Sequence, residues 1–343
     1  MSADAIWITE AEVVELIDLR EAIAALEAAL REEARGEAQN MTKTLLQYGT
    51  TGERKGSPAP MNNLHAIGGK LGHLVGTKTW THTQGGTCPL LLLWSAEDGS
   101  LVAVIEAFAL GNLRTGGISG VAADWMARAD AGVMAIVGTG KQALAQVGTM
   151  LAVRPIERLQ VYSPRAESRE AFAAKAREEF GVEAAACASA AEACKGAQIV
   201  TLVTRAAQPF LTAGMLDKGA HLNAVGAIAP DREEFAQDVF ARATLVAVDN
   251  LPGVQQLSRE FMTQYASSGW DKVMPLSRLI ASGRRRSGAD DVSLFKAMGM
   301  GISDLALGVE LARRARERGV GRVIPQPRKQ KPRLAGARAK SAV

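Results

Sequence analysis

The rhythm of apolar and polar positions changes twice along the chain. Across residues 19–35 apolar side chains recur at helical spacing (Ile23, Leu26, Leu30) among Ala and Glu, and Gly36 follows as a stop, so the pattern predicts a helix there. Residues 41–76 keep no clear period, and the stretch TTGERKGSPAPMNN, rich in Gly, Pro and Asn, reads as an exposed loop. Two strand-like runs follow at 89–94 and 101–105, separated by the turn-forming Glu97-Asp98-Gly99. A helical pattern resumes across 114–129. From Gly132 onward, short β-branched runs (GVMAIVG, RLQVYS, QIVTLV, HLNAVG, ATLVAVD) alternate with helical stretches such as KQALAQVGTMLA and ESREAFAAKAREEF. That alternation predicts βαβ units and a parallel sheet. One more strong helix is expected over 299–318.

Composition narrows the class. The 343 residues are 47% apolar and 22% charged, enough for two domains with a substantial core and too apolar for a largely disordered chain. No apolar run approaches the ~20 residues of a membrane helix, so no membrane role is expected. The start, MSADAIWITEAEVVEL, lacks the basic-then-apolar layout of a signal peptide. Cys88, Cys187 and Cys194 show neither CxxC nor His/Cys ligand spacing, which argues against a disulfide scaffold and against a metal site. These features together predict a cytoplasmic protein. The formal charge is +4, but seven basic residues from Arg322 to Lys340 follow the last acidic one, Glu317, and 4 − 7 = −3 remains for the rest. The basicity belongs to a solvated Pro/Lys/Arg-rich tail without aromatic interleaving, and no nucleic-acid partner is expected.

The sharpest local motif is Gly138-Thr139-Gly140-Lys141-Gln142-Ala143, which follows a buried-type strand and opens a helix. Gly138 permits the tight turn, Gly140 lets backbone approach a diphosphate, and Ala143 takes the small-residue place where helix meets strand. The helix N-terminus offers unpaired N–H groups and a positive dipole end to phosphates. The next strand ends in Ser163-Pro164-Arg165 instead of an acid. Without a carboxylate for a ribose 2′-hydroxyl, and with Ser163 and Arg165 suited to a 2′-phosphate, NADPH is favoured, NADH remaining the other option. Thr204 and Gly226 complete the cofactor set.

Five segments, GTKTW (76–80), LRTGGISGVAA (113–123), GTGKQA (138–143), NAVGAIAPDREEF (223–235) and FKAMGMGISDL (295–305), resemble in order those of the ornithine cyclodeaminase/mu-crystallin family. That family includes cyclodeaminases, ketimine reductases and some alanine dehydrogenases. The resemblance implies an α/β fold in which a Rossmann-type doubly wound domain (residues 126–299) is inserted between two parts of an α+β substrate/dimerisation domain (1–125 and 300–322). A basic disordered tail (323–343) would follow. It also implies a homodimer formed through the non-Rossmann domain.

The same resemblance assigns roles. Lys78 corresponds to the family's active-site lysine, and Arg114 to an arginine whose planar fork binds the substrate carboxylate. From the residues alone, Lys78 reads first as a surface charge and Arg114 as a helix-cap or salt-bridge residue. Lys43 stands where relatives carry a second carboxylate-binding Arg, keeping charge and losing the fork. Thr115 and Gly116 are expected to begin a helix and offer backbone N–H groups to an anion. The family's Glu-x-Met pair is replaced by His65 and Ile67, and His65 reads either as a proton donor or as a structural residue. Ile228 occupies the place of the Asp that engages a distal amine in cyclodeaminases. Burying a second ammonium without that partner costs several kcal/mol.

The residues therefore point to a nicotinamide-dependent oxidoreductase that reduces an α-imino acid (a ketimine) or interconverts a 2-amino acid with its keto or imino form. Two alternatives stand beside it: an ornithine-type cyclodeaminase with recycled NAD+, and a non-catalytic protein that binds NADPH and a small ligand.

Overall fold

The computed structural model describes residues 4–48 and 62–334, so most of the expected loop at 50–63 and the end of the tail lie outside the described residues. The chain opens with β1 (Ala5–Ile8), α1 (Glu10–Leu16) and α2 (Leu19–Ala34). Helix α2 buries Ala22, Leu26, Ala29 and Leu30 on one face. Asp18 caps it: its carboxylate accepts the Glu21 N–H at 2.8 Å, and Glu21 accepts the Asp18 N–H at 2.8 Å. Five short strands and a long hairpin follow as β2 (Ala38–Asn40), β3 (Thr44–Tyr48), β4 (Asn62–Leu71), β5 (Leu74–Thr83), β6 (Gly86–Thr87), β7 (Leu90–Ser95) and β8 (Leu101–Glu106), the hairpin being β4 with β5. The described part of the stretch read as irregular is thus mostly strand. Its period is hidden because Gly68 and Gly69 interrupt β4 where another element presses against it.

Helix α3 (Phe108–Met126) leads into the parallel sheet. There, β9 (Val133–Val137), α4 (Ala143–Val153), β10 (Arg158–Tyr162), α5 (Ala166–Phe180), β11 (Glu183–Ala186), α6 (Ala190–Cys194) and β12 (Ile199–Leu202) form the first half. The second half holds β13 (His221–Ala224), β14 (Ala243–Val248), α7 (Leu251–Leu257), α8 (Arg259–Gln264), β15 (Met274–Pro275), α9 (Leu276–Ala281) and β16 (Val292–Lys296). All its strands are parallel, in the order β11-β10-β9-β12-β13-β16-β14-β15. Strands β12, β13 and β16 are buried along their whole length, as a sheet covered on both faces requires. This is the doubly wound α/β architecture.

Helix α10 (Gly301–Arg318) then returns to the first sheet, and β17 (Arg322–Ile324) pairs antiparallel with β1. The expected tail therefore begins as strand: residues 323 and 324 belong to β17, and the Gln326 amide bonds Leu101 in both directions. The first sheet runs β17-β1-β8-β7-β5-β4-β2, with β3 also on β4 and β6 on β5. The N-terminus of α10 sits on the middle of β4 so closely that a Cβ on Gly301 would overlap the Gly68 carbonyl. One apolar core joins the two halves, running from Leu26, Leu30 and Val121 through Leu305 to Phe295 and Leu276.

Candidate functional site

The winding of the parallel sheet reverses at β9, with β10 on one side and β12 on the other. Ligands in such sheets sit outside the carboxyl ends of the strands at this switch point. Here those ends enclose a cavity of about 560 Å³, bounded by residues 138–140 after β9, 162–165 after β10 and 203–206 after β12. Gly138 has φ 109°, and a Cβ on it would lie 2.7 Å from the Val203 carbonyl oxygen, so only glycine makes this turn. The space in front of Gly140 is open for 4 Å. The N–H groups of Gly140, Lys141 and Gln142 carry no hydrogen bond among the described residues, and α4 begins just beyond them. An open concavity of unpaired N–H groups at a helix N-terminus fits a dinucleotide diphosphate. At the far end, Arg165 is exposed, the Ser163 hydroxyl donates to the Arg165 carbonyl at 3.3 Å, and no carboxylate lines the cavity among the described residues.

A second cavity of about 320 Å³ adjoins the first and shares Gly140, Val203, Thr204 and Arg205 with it. The first sheet and α3 supply its opposite wall through Lys43, Ile67, Trp80 and Arg114. Behind that wall lies Asp304, fully buried in the first turn of α10. Its Oδ1 accepts the Lys78 ammonium at 2.5 Å and stands 3.3 Å from Arg114 Nε, an ion pair lacking the angle of a hydrogen bond. Asp304 Oδ2 has no hydrogen-bond partner among the described residues. Lys78 is 4% exposed and is not part of the cavity wall; its Nζ lies 5.1 Å from the centre of the Trp80 ring. Burial pulls its ammonium down to about 8 against the opposing pull of Asp304, with Arg114 and Lys43 adding to the fall. Burial and then Arg114 also lower Lys43, while Asp304 opposes them.

The other expected residues divide between the cavities. Gly138, Thr139, Gly140, Ser163, Arg165 and Thr204 line the larger one, and Thr115, Lys141, Gln142, Gly226 and Ile228 line the smaller. Ala143 lines neither; it is fully buried where α4 meets the sheet.

Three readings change. His65 lies outside both walls and stacks on Trp80, ring centres 4.7 Å apart. Burial, Lys43 and His82 bring it down to about 4, so it is neutral at physiological pH and has no imidazolium proton to give. Thr115 and Gly116 do not begin a helix. Helix α3 starts at Phe108, so their N–H groups belong to its interior, and the Thr115 hydroxyl donates to the Gly111 carbonyl at 2.8 Å. The N–H groups of Thr204 and Gly226 are already taken by the buried Glu234 carboxylate, at 2.6 and 2.8 Å, which ties the ends of β12 and β13 together. What these two residues offer a ligand is shape, not donors.

Sequence reasoning passed over three members of the site. Asp304 and Trp80 sit inside quoted segments, FKAMGMGISDL and GTKTW, without having been singled out. An acid in an otherwise apolar helical turn was the available clue for the first. Arg205, which lines both cavities, has no local signature.

The sequence pattern of the ornithine cyclodeaminase/mu-crystallin family matches residues 4–319. A Delta(1)-pyrroline-2-carboxylate reductase of Bacillus cereus (strain ZK / E33L) is 31% identical over 273 residues, covering 78% of this chain and 83% of its own. The alanine dehydrogenase of Archaeoglobus fulgidus is 28% identical over 331 residues, 92% of this chain and 97% of its own. Among solved structures, the Thermococcus litoralis Delta(1)-pyrroline-2-carboxylate reductase in complex with NADH and L-proline superposes with a TM-score of 0.84 at 24% identity, over 93% of this chain and all of that one, which speaks to the fold. With the doubly wound sheet, the glycine turn at its switch point and a match over nearly its whole length, this chain belongs to the ornithine cyclodeaminase/mu-crystallin family.

Proposed function

We propose that the chain is an imine reductase that converts an α-imino acid, of the kind represented by 1-pyrroline-2-carboxylate, to the amino acid, drawing on NADPH in preference to NADH. The observation that carries this reading is the charge layout of the smaller cavity. Arg114 and Lys43 line it and suit a carboxylate, while among the described residues no free carboxylate is there for a second ammonium. Ile228 stands where a distal amine would need an acid. The one carboxylate in the wall, Asp249, already accepts the Met298 and Gly299 N–H groups at 2.8 and 2.7 Å. The reductases among the relatives support the same substrate class.

When bound, the reduced nicotinamide supplies a hydride. The protein's part is placement and proton supply. Residues 138–142 would hold the diphosphate, and Arg165 with Ser163 would meet the adenosine ribose. Arg114 grips the substrate carboxylate through its two Nη groups, its Nε being turned to Asp304. Lys43 adds charge beside it. Ile67, Trp80 and Ile228 give the reacting carbon an apolar, water-poor surround. Lys78, buried just behind the wall at Trp80, is the proton source for the substrate nitrogen, and His65 has no chemical part. A homodimer belongs to the same reading: Leu46 and Leu64 face each other across β3 and β4 and are 57% and 39% exposed, an apolar surface suited to a second copy.

The test is a cofactor-absorbance panel with purified protein. NADPH should be consumed with 1-pyrroline-2-carboxylate and related cyclic ketimines, leaving the amino acid. Pyruvate with ammonia should be a poorer substrate pair, and L-ornithine with catalytic NAD+ should give neither proline nor ammonia. Robust ornithine turnover, or an inert panel, overturns the reading.

A further inference from the structure

We propose that the substrate's own carboxylate loads the proton onto Lys78, with Asp304 as the fixed countercharge that holds Lys43, Lys78 and Arg114 in a surplus of positive charge until that carboxylate arrives. This rests on the function proposed above and adds to it a coupling between binding and proton supply.

The groups facing Lys78 come from every element around it. Asp304 approaches from α10, Arg114 from α3 and Lys43 from the segment before β3; His65 of β4 lies behind Trp80. The strands on either side set only Ile67 and Leu91 opposite it. Three cations thus gather round Asp304, two of them at a single oxygen of it, and the second carboxylate nearby, Asp249, faces Arg114 alone of the three while its oxygens accept the Met298 and Gly299 N–H groups. Asp304 cannot be swung away to relieve them, because Gly301 seats the start of α10 against β4.

In such a cluster the surplus is relieved by shedding a proton. A guanidinium does not give one up. The lysines do, and Lys78 is the one that burial has brought down to about 8. A second anion changes the sum. A carboxylate arriving within ~4–6 Å of an ammonium raises its proton affinity by about one to three pH units. Binding at Arg114 therefore draws a proton from solvent onto Lys78 near pH 8, and by reciprocity the protonated enzyme binds the anion more tightly.

The cycle balances. The imino acid binds as carboxylate and Lys78 takes up one proton. The imine carbon gains its new C–H bond from the hydride that a bound reduced nicotinamide would supply. The Lys78 N–H bond breaks as the substrate N–H bond forms. The amino acid leaves with the cofactor oxidised and Lys78 neutral. Above about pH 8 an empty site therefore holds this proton less than half of the time.

The experiment uses the full chain saturated with NADPH and the planar anion pyrrole-2-carboxylate, which has no imine to reduce. Binding heats are measured near pH 8 in HEPES and in Tris, whose ionisation enthalpies differ, and again near pH 6.5 in PIPES and bis-tris. The expected result near pH 8 is uptake of roughly half a proton per site, falling towards none near pH 6.5, where Lys78 is already charged. Lys78→Met should abolish the uptake while NADPH fluorescence still reports cofactor binding. Asp304→Asn should move the uptake window down by about one to three pH units, since the lost charge was holding the proton on. Binding with equal heats in both buffers overturns the inference alone, as does uptake that survives Lys78→Met. If the anion does not bind, the carboxylate site itself falls, and the proposed function with it.

Discussion

Arg165 opens α5 with its side chain exposed beside Ser163, and the cavity they border holds no carboxylate among the described residues. A charge-assisted contact to a 2′-phosphate is worth ~1.5–3 kcal/mol, nearer the lower figure at an exposed position. Arg165→Ala should accordingly weaken NADPH binding by roughly tenfold and leave NADH almost unchanged, as read by fluorescence titration. Equal affinities in the unaltered protein would sink the preference. Much at this scale is legible in the sequence: the strand end at residues 163–165, the glycine turn, and the pairing of Lys78 and Arg114 within recognisable segments. Asp304 is not, because its partner Lys78 is 226 residues away and no local pattern reports that contact. His65 fails for another reason. An imidazole's identity suggests a donor, whereas burial first, and then the nearby Lys43, decide its charge.

Elements are legible where their stop and start chemistry is local. Helix α2 carries its own capping box and ends at Gly36, so its bounds follow from nearby residues. Helix α3 does not. The N–H groups of its first two residues, Phe108 and Ala109, are capped by the Glu10 carboxylate, far off in sequence, and the glycines of GNLRTGG mask its early turns. The β4–β5 hairpin is hidden in the same way, its glycines serving a contact with α10. That contact sets up a test. Gly301→Ala places a methyl into the Gly68 carbonyl and should cost ~1–3 kcal/mol, lowering the urea midpoint. Activity should fall further than stability, because Asp304 rides on the same turn. An unchanged midpoint would mean that α10 is free to shift.

At the scale of the whole molecule, the proton balance of folding shows in His221. This ring is fully buried between Ser293 and Asn223, and burial holds it down to about 3. The unfolded chain binds that proton at about 6.5, so between those values the unfolded state carries it and the native state does not. The contribution is whole above about pH 6.5 and is lost as pH falls, at roughly 1.4 kcal/mol per unit. Urea unfolding from pH 7 to 4.5 should show this slope, and His221→Gln should flatten it by up to one proton; an identical slope in the variant would place the acid sensitivity elsewhere. The long reach from Lys78 to Asp304 has a consequence for synthesis as well. A ribosome that has finished the parallel sheet has already made the dinucleotide cavity and every cation of the cleft, but not the carboxylate among them. The site closes only once α10 emerges and docks on a sheet made long before. A message cut short before residue 304 yields Lys78 and Arg114 without the carboxylate on which they meet, so assembly of the site waits until nearly all of the chain has been translated.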